Sequence, residues 1–196
     1  MEFQDVVHKR RMVRHFTSEP VEIETVQRIL KLARHSPSAG FTQGQSFVVV
    51  TRPEVKQKIA ELCGEKEYVS DGFDPFISGA PVLVVLCTSE AAYHRRYQES
   101  DKLLNDGTEL KWPVPYWFMD IGCAAMIVLL AAVDEGLGAG FAGFDDLPGV
   151  RDLLKLPEEV IPMGVIPIGH AAPDKRSESL KRGRKSMAET VHWEGW

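Results

Sequence analysis

Cysteine is scarce. Cys63, Cys87 and Cys123 are the only three in 196 residues, and no two stand in CxxC spacing. An odd, scattered set excludes a disulfide framework and a cysteine-held metal cluster, and it suits the reducing cytoplasm. The six histidines show no HExxH or other paired spacing, so no metal is expected. There is no GxSxG elbow, no cysteine within a nucleophile motif, and no pair of acids that stands out for general acid–base work. Basic residues are not in excess. A net charge of −5 argues against broad nucleic-acid binding while leaving room for a local basic site. The longest uncharged apolar run, Cys123–Val133, is shorter than a bilayer span and suits a buried helix. Met1-Glu2-Phe3-Gln4-Asp5 lacks the cationic start and apolar stretch of a secretory signal. A cytoplasmic protein with no membrane segment is therefore expected. If such a chain is an enzyme, a cofactor carries the chemistry and the protein positions it.

What is present is an ordinary globular composition, 44% hydrophobic and 26% charged, long enough for one domain over residues 1–196 with a full core. Apolar periodicity predicts helices over Glu2–Arg10, Glu22–His35, Pro53–Cys63, Asp120–Glu135 and Leu147–Leu154. Runs rich in β-branched residues predict strands at Ser46–Thr51, Ala80–Cys87, Ala139–Gly143 and Pro162–Gly169. The strand Ala80–Cys87 is apolar throughout, which suits burial on both faces. Pro162 and Pro167 suggest that the last strand is an edge or is irregularly paired. Gly64–Gly79 reads as an irregular loop with about one helical turn. The polar stretch from His94 to Trp112, with a turn at Asn105-Asp106-Gly107, has room for a helix and reads as a mobile lid over a site. No regular βαβ alternation appears, so the pattern favours an α+β sheet packed by helices over a doubly wound sheet. No internal repeat or low-complexity tract is present.

Four stretches carry candidate chemistry. Lys9-Arg10-Arg11-Met12-Val13-Arg14 places three arginines within five residues. Arg10 shares a helical face with Phe3, Val6 and Val7, and Arg14 joins that face if the helix runs one more turn. Guanidiniums on an apolar face need an anion. A frayed helix end with solvated arginines is the competing reading. Gly138-Ala139-Gly140-Phe141-Ala142-Gly143 matches GxGxxG, but a helix precedes it and Asp145-Asp146 follows where a pyrophosphate would dock, so the dinucleotide reading is rejected. These glycines bring backbone close either to a flat ligand or to a neighbouring strand. Pro37-Ser38-Ala39-Gly40-Phe41-Thr42-Gln43 offers hydroxyls, an amide and adaptable backbone. The tail Lys181-Arg182-Gly183-Arg184-Lys185 is a solvated charge run by default, yet Trp193 and Trp196 follow it, and such apolar surface at a chain end usually docks on something.

In order and spacing, these stretches resemble the nitroreductase family of FMN-dependent oxidoreductases. The likeness runs through Arg10–Phe16, Pro37–Gly40 with Gln43, Ala80-Pro81, Ala124–Ala132, Gly136–Gly138, Gly143-Phe144, Pro167–His170, and Arg182 and Arg184 with Val191–Trp193. The resemblance implies an α+β fold with a central, mostly antiparallel sheet flanked by helices, assembled as an intertwined homodimer whose tail, residues 171–196, wraps the partner. It implies two FMN sites at the dimer interface and a ping-pong transfer of hydride from NAD(P)H through FMN to a flat acceptor such as a nitroaromatic or quinone. Same-fold chemistry such as dehalogenation or flavin fragmentation, or non-catalytic FMN binding, is the alternative. By position, Arg10 would bind the FMN phosphate and Arg14 would lie nearer the ring. Arg11 and Met12 would add contacts, and Arg182 and Arg184 would return to the phosphate. Ser38 and Gln43 would come from the partner chain. Ala142 and Gly143 would offer backbone N–H groups at the reactive edge. Phe41, Tyr116 and Trp117 are candidate walls for the substrate. The chain departs from the family pattern at Phe41, at Gln43-Gly44-Gln45, and at Met12, where a hydroxyl residue is common. Those departures bear on substrate preference and on contacts from the partner.

Overall fold

The computed structural model describes residues Met1–Trp196, and its sheet is built around one strand. Val82–Thr88 (β2) is buried along its whole length. It pairs antiparallel with Ser46–Val50 (β1) on one side and Ile161–Gly169 (β4) on the other, and β4 pairs antiparallel with the two-residue Gly138–Ala139 (β3). The order is β1-β2-β4-β3. Successive side chains alternate between faces, so β2 serves two cores. Val82, Val84 and Leu86 join one cluster with Val26, Ile29, Ala124, Val128 and Ala132. Leu83, Val85 and Cys87 join the other with Ile59, Phe76, Ile77 and Val165. The uninterrupted apolar run thus reports burial on both faces.

Helices cover both sides. Ile23–Ala33 (α2) and Tyr116–Asp134 (α6) pack on the first face. Pro53–Leu62 (α3), with Pro53 harmless in its first turn, packs on the second. Leu147–Leu154 (α7) starts at Asp146, whose side chain accepts from Gly149 N–H. Helix α6 begins at Tyr116, ahead of the expected Asp120. By length and composition it could cross a membrane, but half of its apolar window is buried inside the chain, as the core helix of the fold. Its opposite face leaves Met119, Gly122 and Met126 exposed.

Several expectations need correction. The first helix, Phe3–Lys9 (α1), stops where Arg10 turns to φ −55°, ψ 127°. The chain then runs extended: Met12 bridges Ala139, Val13 N–H donates to Ala139 O at 3.0 Å, and Phe16 bridges Ala171. The extra turn that would put Arg14 on the Arg10 helix face does not form. The helical turn expected within Gly64–Gly79 is present as the six-residue Glu65–Ser70 (α4), held down by the buried Glu65 carboxylate, which accepts from Ile77 N–H, Ser78 N–H and the Ser78 hydroxyl. Glu90–Tyr97 (α5) occupies the first part of the presumed lid, with Ser89 as its N-cap. Strand β4 is irregular but not an edge: a bulge separates Leu86 from Cys87, and Cys87 faces Pro162. Of the expected Ala139–Gly143 strand only Ala139 joins the sheet, together with the preceding Gly138, and Ala142 returns as a single bridge to Val165. Beyond Ala171 the tail forms one 3-10 turn, Glu178–Arg182, and a short helix, Met187–Thr190 (α8), while Trp193 is 87% exposed and Trp196 fully so.

Candidate functional site

The extended segment after α1 is fixed by hydrogen bonds along its length. Besides the Val13 bond, Thr17 N–H donates to His170 O, Ala172 N–H to His15 O, and Arg14 N–H to the Asp174 carboxylate at 2.6 Å. Two glycines make this possible. A Cβ on Gly140 would lie 2.6 Å from Val13 O, and one on Gly138 would lie 2.9 Å from Val13 Cγ2. Of the two reasons for the glycine run left open by the sequence, Gly138 and Gly140 serve the close approach of a neighbouring strand.

Arg10 is the feature that needs a ligand. Its Nη1 is buried and has no hydrogen-bond partner, and a buried unpaired guanidinium nitrogen is costly. Arg11 instead satisfies itself on the carbonyls of His8 and Arg10 in solvent. Arg14 sits over the Phe73 ring, 5.5 Å from its centre. By strand periodicity Met12 and Arg14 share one side of the segment, opposite Val13. Of the two backbone donors named at Ala142-Gly143, Ala142 N–H is already given to Val165 O at 2.9 Å. That corrects its expected role. Gly143 is exposed, and its N–H makes no hydrogen bond within the chain. A cavity of about 350 Å³ lies on the Val13 side, lined by Lys9, Arg11, Gly136, Leu137 and Gly138 among others.

Ser38, Phe41 and Gln43 lie on a loop elsewhere. Ser38 Oγ accepts from Gln43 N–H at 2.9 Å. Phe41 and Gln43 adopt φ +56° and +54°, a left-handed backbone that costs about 1–3 kcal/mol per non-glycine residue and clusters at functional sites. Phe41 is 76% exposed. The loop rests on α5, where Arg96 Nε donates to Gly40 O at 3.0 Å. The loop is also tied to Asp120, a buried carboxylate that the sequence reading did not single out; it accepts from Ala39 N–H at 2.8 Å and from the Tyr93 hydroxyl at 2.7 Å. Beside it, Tyr93, Tyr97, Trp112 and Trp117 form a cluster of edge-on and tilted rings. Trp117 is buried there, so its expected role as an open stacking wall is corrected. Tyr116 remains half-buried at its rim and packs on Trp112. His94 Nδ1 is 2.6 Å from Glu109 Oε1, and this contact, with a smaller one to Glu90, raises the imidazole above its ordinary pKa. Glu109 is held below the usual carboxylate range, first by the Trp112 indole N–H and then by His94.

Arg182 and Arg184 are exposed on the tail and make no ion pair with any carboxylate of the chain; the adjacent Lys181 pairs with Glu178. Within one chain no hydrogen bond links the Ser38–Gln43 loop to the Arg10–Arg14 segment or to the tail, and the tail meets the segment only through Asp174.

An antiparallel sheet between helices defines an α+β protein, and the buried, unpartnered Nη1 of Arg10 and the free N–H of Gly143 are its unsatisfied polar groups near the end of that sheet's glycine-rich turn. The chain belongs to the nitroreductase family: residues 7–170 match the family model. It is 28% identical over 200 residues to a Methanothermobacter thermautotrophicus protein that carries the provisional name NADH dehydrogenase/NAD(P)H nitroreductase, covering all of this chain and 88% of that one. It is 25% identical over 213 residues to an iodotyrosine deiodinase of Haliscomenobacter hydrossis, covering 97% and 89%. Among solved structures, Bacillus megaterium NfrA1 superposes with a TM-score of 0.79 at 25% identity, over all of this chain and 75% of that one. The expected α+β fold with an antiparallel sheet is the one observed.

Proposed function

We propose that this protein is an FMN-dependent oxidoreductase that acts as a homodimer, taking hydride from NAD(P)H and passing it to a flat acceptor such as a nitroaromatic or quinone. The observation that carries the reading is the buried, unpartnered Nη1 of Arg10 in a chain of this family. A phosphate dianion is the ligand that most rewards such a nitrogen, because guanidinium binds it bidentately. Two related proteins point the same way. A Bacillus subtilis relative, 24% identical over 86% of this chain and 65% of its own length, is named FMN reductase (NADPH), and a deiodinase of this fold was solved with FMN bound.

The residues fit the cofactor. Arg10 holds the phosphate, joined by Arg182 and Arg184 from the tail. Arg11 and Met12 line the approach. Arg14 places positive charge toward the ring, where it favours negative charge there. Gly143 offers its free N–H at the ring edge. Bound FMN supplies the hydride-transfer chemistry. Ser38 and Gln43 of the partner subunit close the ring face, and Phe41 and Tyr116 wall the slot for the acceptor. The dimer accounts for apolar surface that the chain leaves uncovered: Met119 and Met126 on α6, with Met126 47% exposed, and Trp193 and Trp196 on the tail.

The experiment is to release and identify the chromophore of the purified protein and then mix the protein anaerobically with NADH or NADPH. FMN release and loss of flavin absorbance with either nucleotide are expected. A protein without FMN, or one that neither nucleotide bleaches, overturns the proposal.

A second reading, reductive dehalogenation, is favoured by the deiodinase relative matched over nearly the whole chain. Iodide release from 3-iodotyrosine by the reduced protein, exceeding its rate with quinones, would select it.

A further inference from the structure

Helix α6 carries a carboxylate where apolar packing is expected. Asp120 is 6% exposed, next to the buried Trp117 and Ile121, and it makes no ion pair. A buried carboxylate must find hydrogen bonds, and here a single oxygen, Oδ2, accepts both. One donor is Ala39 N–H at 2.8 Å and the other is the Tyr93 hydroxyl at 2.7 Å. Burial pushes the Tyr93 hydroxyl well above its ordinary pKa, and the bond to Asp120 adds to this, so Tyr93 stays a donor across the working pH range. Neither donor belongs to α6. The carboxylate therefore joins three pieces of chain that sequence spacing does not connect.

The piece it tethers is strained and is the one that must reach the slot. Gly40, Phe41 and Gln43 all have positive φ. The loop lies directly on α5: a Cβ on Gly40 would come within 2.7 Å of the Tyr97 ring, and one on Gly44 within 2.5 Å of the Tyr93 ring. Ala39 adjoins Ser38, whose hydroxyl in turn accepts from Gln43 N–H. The path from Asp120 to the exposed end of the loop is thus two hydrogen bonds and one peptide.

We infer that Asp120 is a positioning residue for the acceptor slot: through Ala39 N–H it sets the turn that presents Phe41 and Gln43, and Tyr93 fixes the orientation of its carboxylate. The inference rests on the proposed FMN-dependent function. It separates two jobs. Arg10 retains the cofactor from one half of the site, and Asp120 aims the other half. Loss of Asp120 therefore acts on how the acceptor binds far more than on flavin retention, because the phosphate grip proposed for Arg10 lies outside the loop that Asp120 tethers.

The test is steady-state and rapid-reaction kinetics of Asp120→Asn, which keeps the shape but turns two charge-assisted hydrogen bonds into weaker neutral ones. The variant is expected to remain yellow with wild-type FMN content. Its KM for a quinone should rise about ten- to hundredfold, the scale of a small misplacement of a positioned group, with a much smaller change in kcat and a shifted flavin fluorescence. Ala39→Pro is the second variant. It deletes the N–H itself, and Ser38 already has the extended backbone that a following proline requires, φ −145° and ψ 142°. It should reproduce the KM rise, and adding Asp120→Asn to it should add little. A colourless wild type refutes the proposed function, and this inference with it. A functional wild type with an unchanged KM in both variants refutes the positioning role alone, as does a loss of FMN in proportion to activity.

Discussion

Replacing Arg10 should have opposite effects on the empty and the loaded protein. In the chain alone, Arg10 Nη1 is buried without a partner, an arrangement that costs about 1–3 kcal/mol for a polar group of this kind. Arg10→Met keeps the apolar stem that packs along the helix end and removes the guanidinium. The flavin-free variant should therefore be at least as stable as the flavin-free wild type, and by up to that amount more so. FMN binding should weaken by about 2–4 kcal/mol, the loss expected for a desolvated, charge-assisted contact, which is roughly a 30- to 900-fold rise in Kd. Urea unfolding of the stripped proteins measures the first quantity, and quenching of FMN fluorescence on titration measures the second. Added FMN should then raise the melting temperature of the wild type far more than that of the variant, since ligand stabilisation follows its concentration relative to Kd. The reasoning fails if the variant binds FMN as the wild type does. It also fails if the stripped variant is less stable by more than about 1 kcal/mol, because the nitrogen would then have a structural partner after all.

Other outcomes follow from single contacts. Gly140→Ala should cost about 1–3 kcal/mol in chemical denaturation, the usual range for overpacking, because its Cβ would sit 2.6 Å from a backbone oxygen, while Gly143→Ala should be nearly neutral because nothing lies within 4 Å; equal effects would place the Arg10–Arg14 segment elsewhere. His94 is raised by its bond to Glu109, so its stabilising contribution is present in full below the unfolded-state pKa and is lost as pH rises through the higher folded-state pKa. Protection of the amides of residues 98–112, taken relative to their intrinsic exchange rates, should therefore fall from pH 6 to pH 8, with His94→Gln flattening the dependence. The effect is modest because the pair is partly solvated. Met126→Lys should turn the proposed dimer into a monomer and release FMN together, as read by light scattering and absorbance; an unchanged yellow dimer would remove α6 from the proposed interface.

The sequence made the strongly periodic parts of the fold readable. Strand β2 announced its two-sided burial by carrying no polar residue before Thr88, and Pro53 marked the start of α3. The parts it hid depend on partners far along the chain. Helix α5 is polar and short, with Tyr93 its only buried residue, so its pattern shows little periodicity. The end of α1 was legible to within a residue, but the extended course after it was not, because good helix formers continue past Arg10 and only pairing with Ala139 pulls the segment straight. Ala142 looked like a free donor because nothing local shows its bond to Val165. In the candidate site, Arg10 was legible as a charge on an apolar face. Asp120 was not, because a carboxylate in a long helix looks like an ordinary solvated residue until Ala39 and Tyr93 are brought to it.

The extended segment after α1 also sets the order in which the molecule can be made. Arg14 is bonded to Asp174, 160 residues downstream, and Phe16 and Thr17 wait for Ala171 and His170. On a ribosome adding about 5–20 residues per second, the first strand to emerge must wait roughly 8–30 s for its partners. Through that interval Arg10, the arginine proposed to grip phosphate, sits on a segment short of its full set of bonds. A chain stopped before residue 170 would keep only the pairing with Ala139. The segment is therefore completed only after residues 170–174 have been made, once the last strand of the sheet is out.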